Sequence, residues 1–325
     1  MPLGEAERSP QGARLQLTRA LSSQVQAQAQ GHRSLRRHLA LNTTSSVVLS
    51  LLFNLLIISA CSPSKTRGEG SDELTSSQRA AQALLSAQEE RFHAPFAEVL
   101  REVWREEGVC YAQLKALSER PGGALRRYLA QLEPPLPQGL SREAELAYWL
   151  NAYNALMLTR VAELWPLKSV QSALKGAPDF ALFKEERYVI GGERRSLDEL
   201  EHQLIRARFK EPRVHMALNC ASRSCPPLRA EPFLSSKLNA QLDEAARAFA
   251  QDVSRNELSA SPPRLSMLFK WYAEDFKGSG GALMWLAQHS SPERAAQLKR
   301  SQAEPLFLSY DWALNSAPAE RCARP

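Results

Sequence analysis

The run Arg213-Val214-His215-Met216-Ala217-Leu218-Asn219-Cys220-Ala221-Ser222-Arg223-Ser224-Cys225-Pro226-Pro227 gathers one imidazole and two thiols in a short stretch of chain. Three chemistries use such a set. A thiol near an imidazole ionises at neutral pH and acts as a nucleophile, with an amide or carboxylate fixing the tautomer of the base. That reading takes Cys220 or Cys225 as nucleophile, His202 or His215 as base, and Asn151, Asn154 or Asp311 as the orienting group. Alternatively, thiols in an exported chain pair as disulfides. With Cys61 set aside, Cys110, Cys220, Cys225 and Cys322 allow three connectivities, and Cys220 with Cys225 is the local choice. Cys110 would then be left for Cys322, which lies in a polar tail with little to hold it. Zinc is the third reading, from His202, His215, Cys220 and Cys225, although their spacing follows no standard zinc pattern. The even number of cysteines puts a binding or structural module first, a cysteine-dependent hydrolase or transferase second, and a zinc domain third.

These residues need elements to hold them. The apolar residues before Asn219 predict a short buried strand, breaking at Asn219 into a small-residue loop that Pro226 and Pro227 close. On a strand, His215 and Cys220 start on opposite faces, so the loop must turn a sulfur back for the two to meet. Ser141 predicts an N-cap, with Glu143 and Glu145 in the first turn of a helix reaching Leu164. That helix has almost no polar face and is therefore expected to be the buried one. Asn151 and Asn154 within it need hydrogen-bond partners, which loop backbone would supply. Ser196-Leu197-Asp198-Glu199 reads as a capping box that opens a helix carrying His202 beside its apolar stripe.

Elsewhere, helical spacing runs from about Ser77 to Trp104 and again from Leu114 to Leu132, ending at Pro134, Pro135 and Pro137. Tyr188-Val189-Ile190 before Gly191-Gly192 predicts a strand and tight turn. A further helix is expected around Leu238 to Phe249, an aromatic cluster around Phe269 to Phe276 with Asp275 in it as an ion-pair partner or a surface residue, and a closing strand from Leu306 to Trp312. The predicted class is α+β, a helix-rich single domain with a small sheet packed on a buried central helix. No P-loop, dinucleotide fingerprint, His-Glu-x-x-His motif or internal repeat occurs, so no cofactor is assigned.

The formal charge of +6 is uneven. Six arginines and two glutamates precede Cys61, leaving 35 basic and 33 acidic residues of the chain's 41 and 35. Nucleic acid is therefore not an expected partner. The apolar run Val47 to Ile58 follows Arg33, Arg36 and Arg37 and leads into Ile58-Ser59-Ala60-Cys61, the layout of a secretory signal ending in a lipobox. The expected organisation is a signal segment over 1–61, a flexible tether over 62–77, a globular domain over 78–317 and a polar tail over 318–325. A lipid on Cys61 would anchor the protein to a bacterial membrane in the cell envelope, with the domain facing the periplasm or exterior. Its further partner would be an envelope protein, a peptide or a small molecule.

Tyr148-Trp149-Leu150-Asn151-Ala152-Tyr153-Asn154-Ala155-Leu156, then Ser196 to His202, then Pro212 to Leu228 form a connected signature. It resembles the bacterial domain-of-unknown-function 547 family. Lys270-Trp271-Tyr272 with Asp275-Phe276, and Tyr310 to Asn315, extend the likeness toward the C-terminus. The resemblance implies a domain often found in exported proteins and shared positions at Asn151, Asn154, His202, His215, Cys220 and Cys225. It implies no reaction.

Overall fold

The computed structural model describes residues 76–301 and 303–323. The expected signal segment, Cys61 and nearly all of the tether lie outside the described residues.

A long helix α1 (Ser76–Val103) leads through a two-stranded antiparallel pair, β1 (Trp104–Arg105) and β2 (Gly108–Val109), into α2 (Tyr111–Glu119) and α3 (Ala124–Leu132). The central helix α4 (Arg142–Leu164) starts where Ser141 predicts it, with the Ser141 hydroxyl accepting from the Ala144 N–H at 3.1 Å. Every residue from Leu146 to Ala162 is buried, so α4 is the axis on which α1, α2 and α3 pack. Its lack of a polar face is thus accounted for by burial on all sides.

After the short helix α5 (Ala181–Lys184) comes an antiparallel hairpin, β3 (Tyr188–Ile190) and β4 (Glu193–Arg195). The Ser196 capping box forms as expected and opens α6 (Leu197–Glu199). That helix widens into a π-helix over Leu200–Arg206 and closes as α7 (Ala207–Phe209). The segment before Cys220 is not the predicted strand. It is a 3-10 helix, Pro212–Met216, with Pro212 in its first turn and the Glu211 side chain accepting from the Arg213 N–H. Proline supplies the helical φ and no donor at a position where none is needed, which outweighs the apolar run that reads as a buried strand.

The remaining helices are α8 (Leu238–Gln251), α9 (Leu268–Trp271), α10 (Ala273–Phe276), α11 (Ala282–Gln288), α12 (Pro292–Arg300) and α13 (Ala319–Cys322). Strands β5 (Arg264–Leu265) and β6 (Leu306–Phe307) pair in parallel, so the closing strand is far shorter than Leu306 to Trp312. The fold is helix-rich α+β, with three separate two-stranded sheets among the described residues. The apolar interior falls into a large cluster around α4 and a smaller one built on Phe249, Phe269, Phe276 and Trp285.

An extended C-terminal strap joins the two ends of the domain. The Arg223 N–H donates to the Ala313 carbonyl at 2.8 Å, the Asn315 N–H to the Ala221 carbonyl at 3.0 Å, and the Val109 N–H to the Asn315 carbonyl at 3.0 Å. Gly108 makes this close approach possible, since a Cβ there would overlap the Asn315 carbonyl. A disulfide between Cys110 and Cys322 ties the strap's end back to the start of α2. The chain is therefore held as far as Cys322, in place of the expectation that little holds this cysteine.

Candidate active site

The local pairing of Cys220 with Cys225 is not what the fold contains. Both are free thiols. The loop that carries them turns sharply: Ala221 adopts a left-handed backbone with φ of 63°, rare for a residue with a Cβ and often found where function demands it. Asn219 steadies the turn, accepting from the Ala221 N–H at 3.1 Å and donating to the Pro226 carbonyl at 2.7 Å. The two sulfurs then take different places. Cys225 is buried, accepts the Cys220 N–H at 2.7 Å and donates to the Leu218 carbonyl at 3.6 Å. Cys220 is partly exposed, with its sulfur 3.1 Å from the Ser222 hydroxyl and 3.5 Å from that of Tyr310.

This division shows in their acidities. Burial alone raises the Cys220 thiol, but hydrogen bonding with Cys225, Ser222 and Tyr310 favours its anion and brings it down to about 7. Burial and the neighbouring Cys220 push Cys225 well above the ordinary thiol range. One sulfur is thus poised to be a thiolate at neutral pH, and the other stays protonated behind it.

His215 lies on the 3-10 helix and is buried. Its Nε2 is 2.7 Å from Oδ2 of Asp275 on α10. Arg206 places its Nε 2.7 Å from the same oxygen. The His215 hydrogen bond, with Arg206 beside it, holds the Asp275 carboxyl well below the usual range, so it is ionised at any working pH. A neutral His215 then donates its Nε2 proton to Asp275 and keeps the Nδ1 lone pair as its basic site. The ring stacks on Tyr272 with centroids 4.1 Å apart, and the Arg206 guanidinium covers Tyr272 at 4.5 Å. Tyr272 in turn donates its hydroxyl to Glu201 at 2.6 Å.

The π-helix makes this cage possible. Glu201 and Arg206 are five residues apart, which on an α-helix would turn them about 140° away from each other. The wider turn, with the Ala207 N–H bonding back to the His202 carbonyl, lets both reach Tyr272. His202 follows the same curve but is engaged on both sides. Its Nδ1 is 2.7 Å from Nη1 of Arg206, which can only donate, and its Nε2 is 3.5 Å from Asp198.

Cys220, His202, His215, Glu201, Tyr272 and Tyr310 all line one cleft of about 170 Å³, whose wall continues through Trp271 and Trp312. The opposite-face relation expected of His215 and Cys220 does not arise, because no strand carries them. Of the other sequence candidates, Asn151 and Asn154 do not line the cleft. Asn151 exchanges two hydrogen bonds with the Phe233 backbone, both at 2.8 Å. Asn154 clamps the site loop, donating to the Ala217 carbonyl at 3.0 Å and accepting from the Asn219 N–H at 2.9 Å. Asp311 faces outward, accepting from the Ala313 N–H and lying 3.6 Å from Arg223. The zinc quartet does not assemble: among the described residues no group of three or more histidine, cysteine and carboxylate side chains is placed to hold a metal ion.

Sequence reasoning named Asp275 only as an ion-pair partner or a surface residue, and left Arg206, Ser222 and Tyr310 out of the candidates. The one signal for Tyr310 and Asp275 was their place among closely spaced aromatics, a pattern equally suited to core packing.

Residues 137–250 match the model of a family described as "Protein of unknown function, DUF547". The match covers α4, the π-helix, the thiol loop and most of α8, and it ends before Asp275 and Tyr310. Neither the curated proteins nor the solved structures contain a match to the chain.

Proposed function

From a chain that resembles an uncharacterised family over its central third, we propose a cysteine-dependent hydrolase or transferase, with Cys220 as nucleophile, His215 as general base and Asp275 orienting the imidazole. The observation that carries this reading is a free, partly exposed thiol sharing a cleft with a histidine–carboxylate pair. In the reaction the Cys220 proton passes to Nδ1 of His215, and Asp275 stabilises the imidazolium that results. His202 is the poorer base because Arg206 already occupies its acceptor nitrogen. The disulfide that favoured a structural module is not formed at Cys220, and the lowered pKa of this thiol suits a nucleophile.

The test is the pH dependence of alkylation by iodoacetamide in the native state, mapped by mass spectrometry. Cys220 should be modified first, with a rate that rises through a midpoint near pH 7, while Cys225 stays protected until the protein unfolds. A profile that follows an ordinary thiol, or no native labelling, removes Cys220 as the nucleophile.

The proposal includes a place for the enzyme. A lipid on Cys61 and the 62–77 tether would hold the catalytic domain at a bacterial membrane within the cell envelope. The Cys110–Cys322 disulfide supports an oxidising compartment of that kind.

A further inference from the structure

A thiolate that attacks a carbonyl generates an oxyanion, and the site must present a donor to it. The first backbone candidate is already committed, because the Cys220 N–H points to the Cys225 sulfur at 2.7 Å. Two hydroxyls remain beside the nucleophile. Ser222 donates its proton to the Tyr310 oxygen at 3.3 Å, which leaves the single Tyr310 proton free to point at the reacting centre. In the resting site that hydroxyl stands 3.5 Å from the Cys220 sulfur. An oxyanion sits about 2.7 Å from the sulfur that formed it, so a hydroxyl at this distance can meet it at the roughly 2.7–3.1 Å where such donors work.

Tyr310 is also held in place. Its ring packs on Trp312 with centroids 4.3 Å apart and on Trp271 at 4.9 Å. The backbone beside it is fixed to the thiol loop, the Asp311 N–H donating to the Ser224 hydroxyl at 2.8 Å and the Ser224 N–H to the Asp311 carbonyl at 3.2 Å. A donor fixed before the reaction pays no reorganisation when charge develops. Burial and the adjacent Cys220 keep its phenol protonated far above neutral pH.

We propose that Tyr310 is a catalytic residue whose phenol O–H stabilises the oxyanion formed when Cys220 attacks, and that the substrate is therefore an acyl compound, an ester, thioester or amide. This rests on the assignment of Cys220 as nucleophile. The Sγ–C bond forms as the carbonyl π pair moves onto oxygen and accepts the Tyr310 hydrogen bond. When that pair returns, the C=O re-forms and the bond to the leaving group breaks, with the leaving group taking the proton from the His215 imidazolium. Cys220 is left as a thioester. Water then attacks it, giving its proton to His215 and releasing the acid and the thiolate.

Two reagents separate this role from simple support of the thiolate. Iodoacetamide alkylates sulfur at a saturated carbon and forms no oxyanion, whereas p-nitrophenyl acetate acylates through one. Both are applied to the full-length protein at pH 8.5, with the modified Cys220 peptide quantified over time. Tyr310→Phe should slow acetylation at least tenfold more than it slows alkylation. A smaller difference, or rates that fall together, overturns the proposal. If the phenylalanine variant does not fold, 2,3-difluorotyrosine incorporated at position 310 replaces it. Its more acidic phenol should raise the acetylation rate relative to alkylation, and an unchanged ratio is equally fatal. If wild-type Cys220 takes neither reagent, the nucleophile assignment fails and the proposal with it. Fast alkylation without a Tyr310 effect on acetylation instead leaves the nucleophile standing and removes only the oxyanion donor.

Discussion

At the scale of single residues, hydrogen bonding decides one titration and burial another: Cys220 is eased toward its charged form and His93 is kept from its own. Hydrogen bonding around Cys220 more than offsets its desolvation, so its anion is accessible near neutrality. His93 gains no such compensation. It is buried against α4, with Nδ1 2.7 Å from the Tyr128 hydroxyl, and burial lowers it from 6.5 to about 4. Between those two values the unfolded chain binds a proton that the folded chain refuses. Stability is therefore complete above about pH 6.5 and declines as pH falls toward 4, by up to about 3 kcal/mol from this residue. Urea midpoints measured from pH 7 to 4.5 should fall less steeply in His93→Gln than in the wild type. Parallel curves would show that the acid sensitivity lies elsewhere.

At the scale of elements, the site depends on two departures from ordinary helix and strand. The π turn brings Glu201 and Arg206 to the same tyrosine, and the 3-10 helix before Cys220 delivers His215 to the cleft. Neither holds the thiol loop by itself. That task falls to α4, whose Asn154 amide satisfies a carbonyl on one side of the loop and the Asn219 N–H on the other. Asn154→Leu fills similar space but leaves both backbone groups unpaired in a buried place, at a cost of about 1–3 kcal/mol for each. Thermal melts should show a clear loss of stability, and the same variant should blunt Cys220 alkylation near pH 7 as the loop loosens. A variant with the wild-type melting point would mean that the loop does not need this clamp.

At the scale of the whole molecule, the strap and the Cys110–Cys322 disulfide close a loop spanning 212 residues, so the two ends of the domain are fixed to each other and to the loop that bears the nucleophile. A domain stapled in this way suits a compartment where thiols oxidise. The proposed anchor is tested on the intact chain in a bacterial host. Metabolic labelling with a fatty acid should mark the wild type and not Cys61→Ser. Equal labelling of the two would place the attachment elsewhere or remove it.

The amino-acid sequence by itself determined the elements whose signals are local. Ser141 and the helical stripe after it, with almost no polar face, define α4, Ser196 and Glu199 define the capping box, and the grouping of His215, Cys220 and Cys225 marks the chemistry. Periodicity and caps record neighbours a few residues apart, so these were legible without a fold. The apolar run around His215 reads as a buried strand, and only the assembled chain shows that Pro212 starts a 3-10 helix there instead. The remaining decisions belong to tertiary structure alone. Asp275 lies 60 residues from His215, and Tyr310 lies 90 from Cys220. No spacing encodes such partners, because contact across a cleft or along a strap leaves the intervening sequence unconstrained. The places of the two nearby sulfurs likewise belong to the folded loop, where both thiols are free and Cys225 engages the Cys220 N–H and the Leu218 carbonyl.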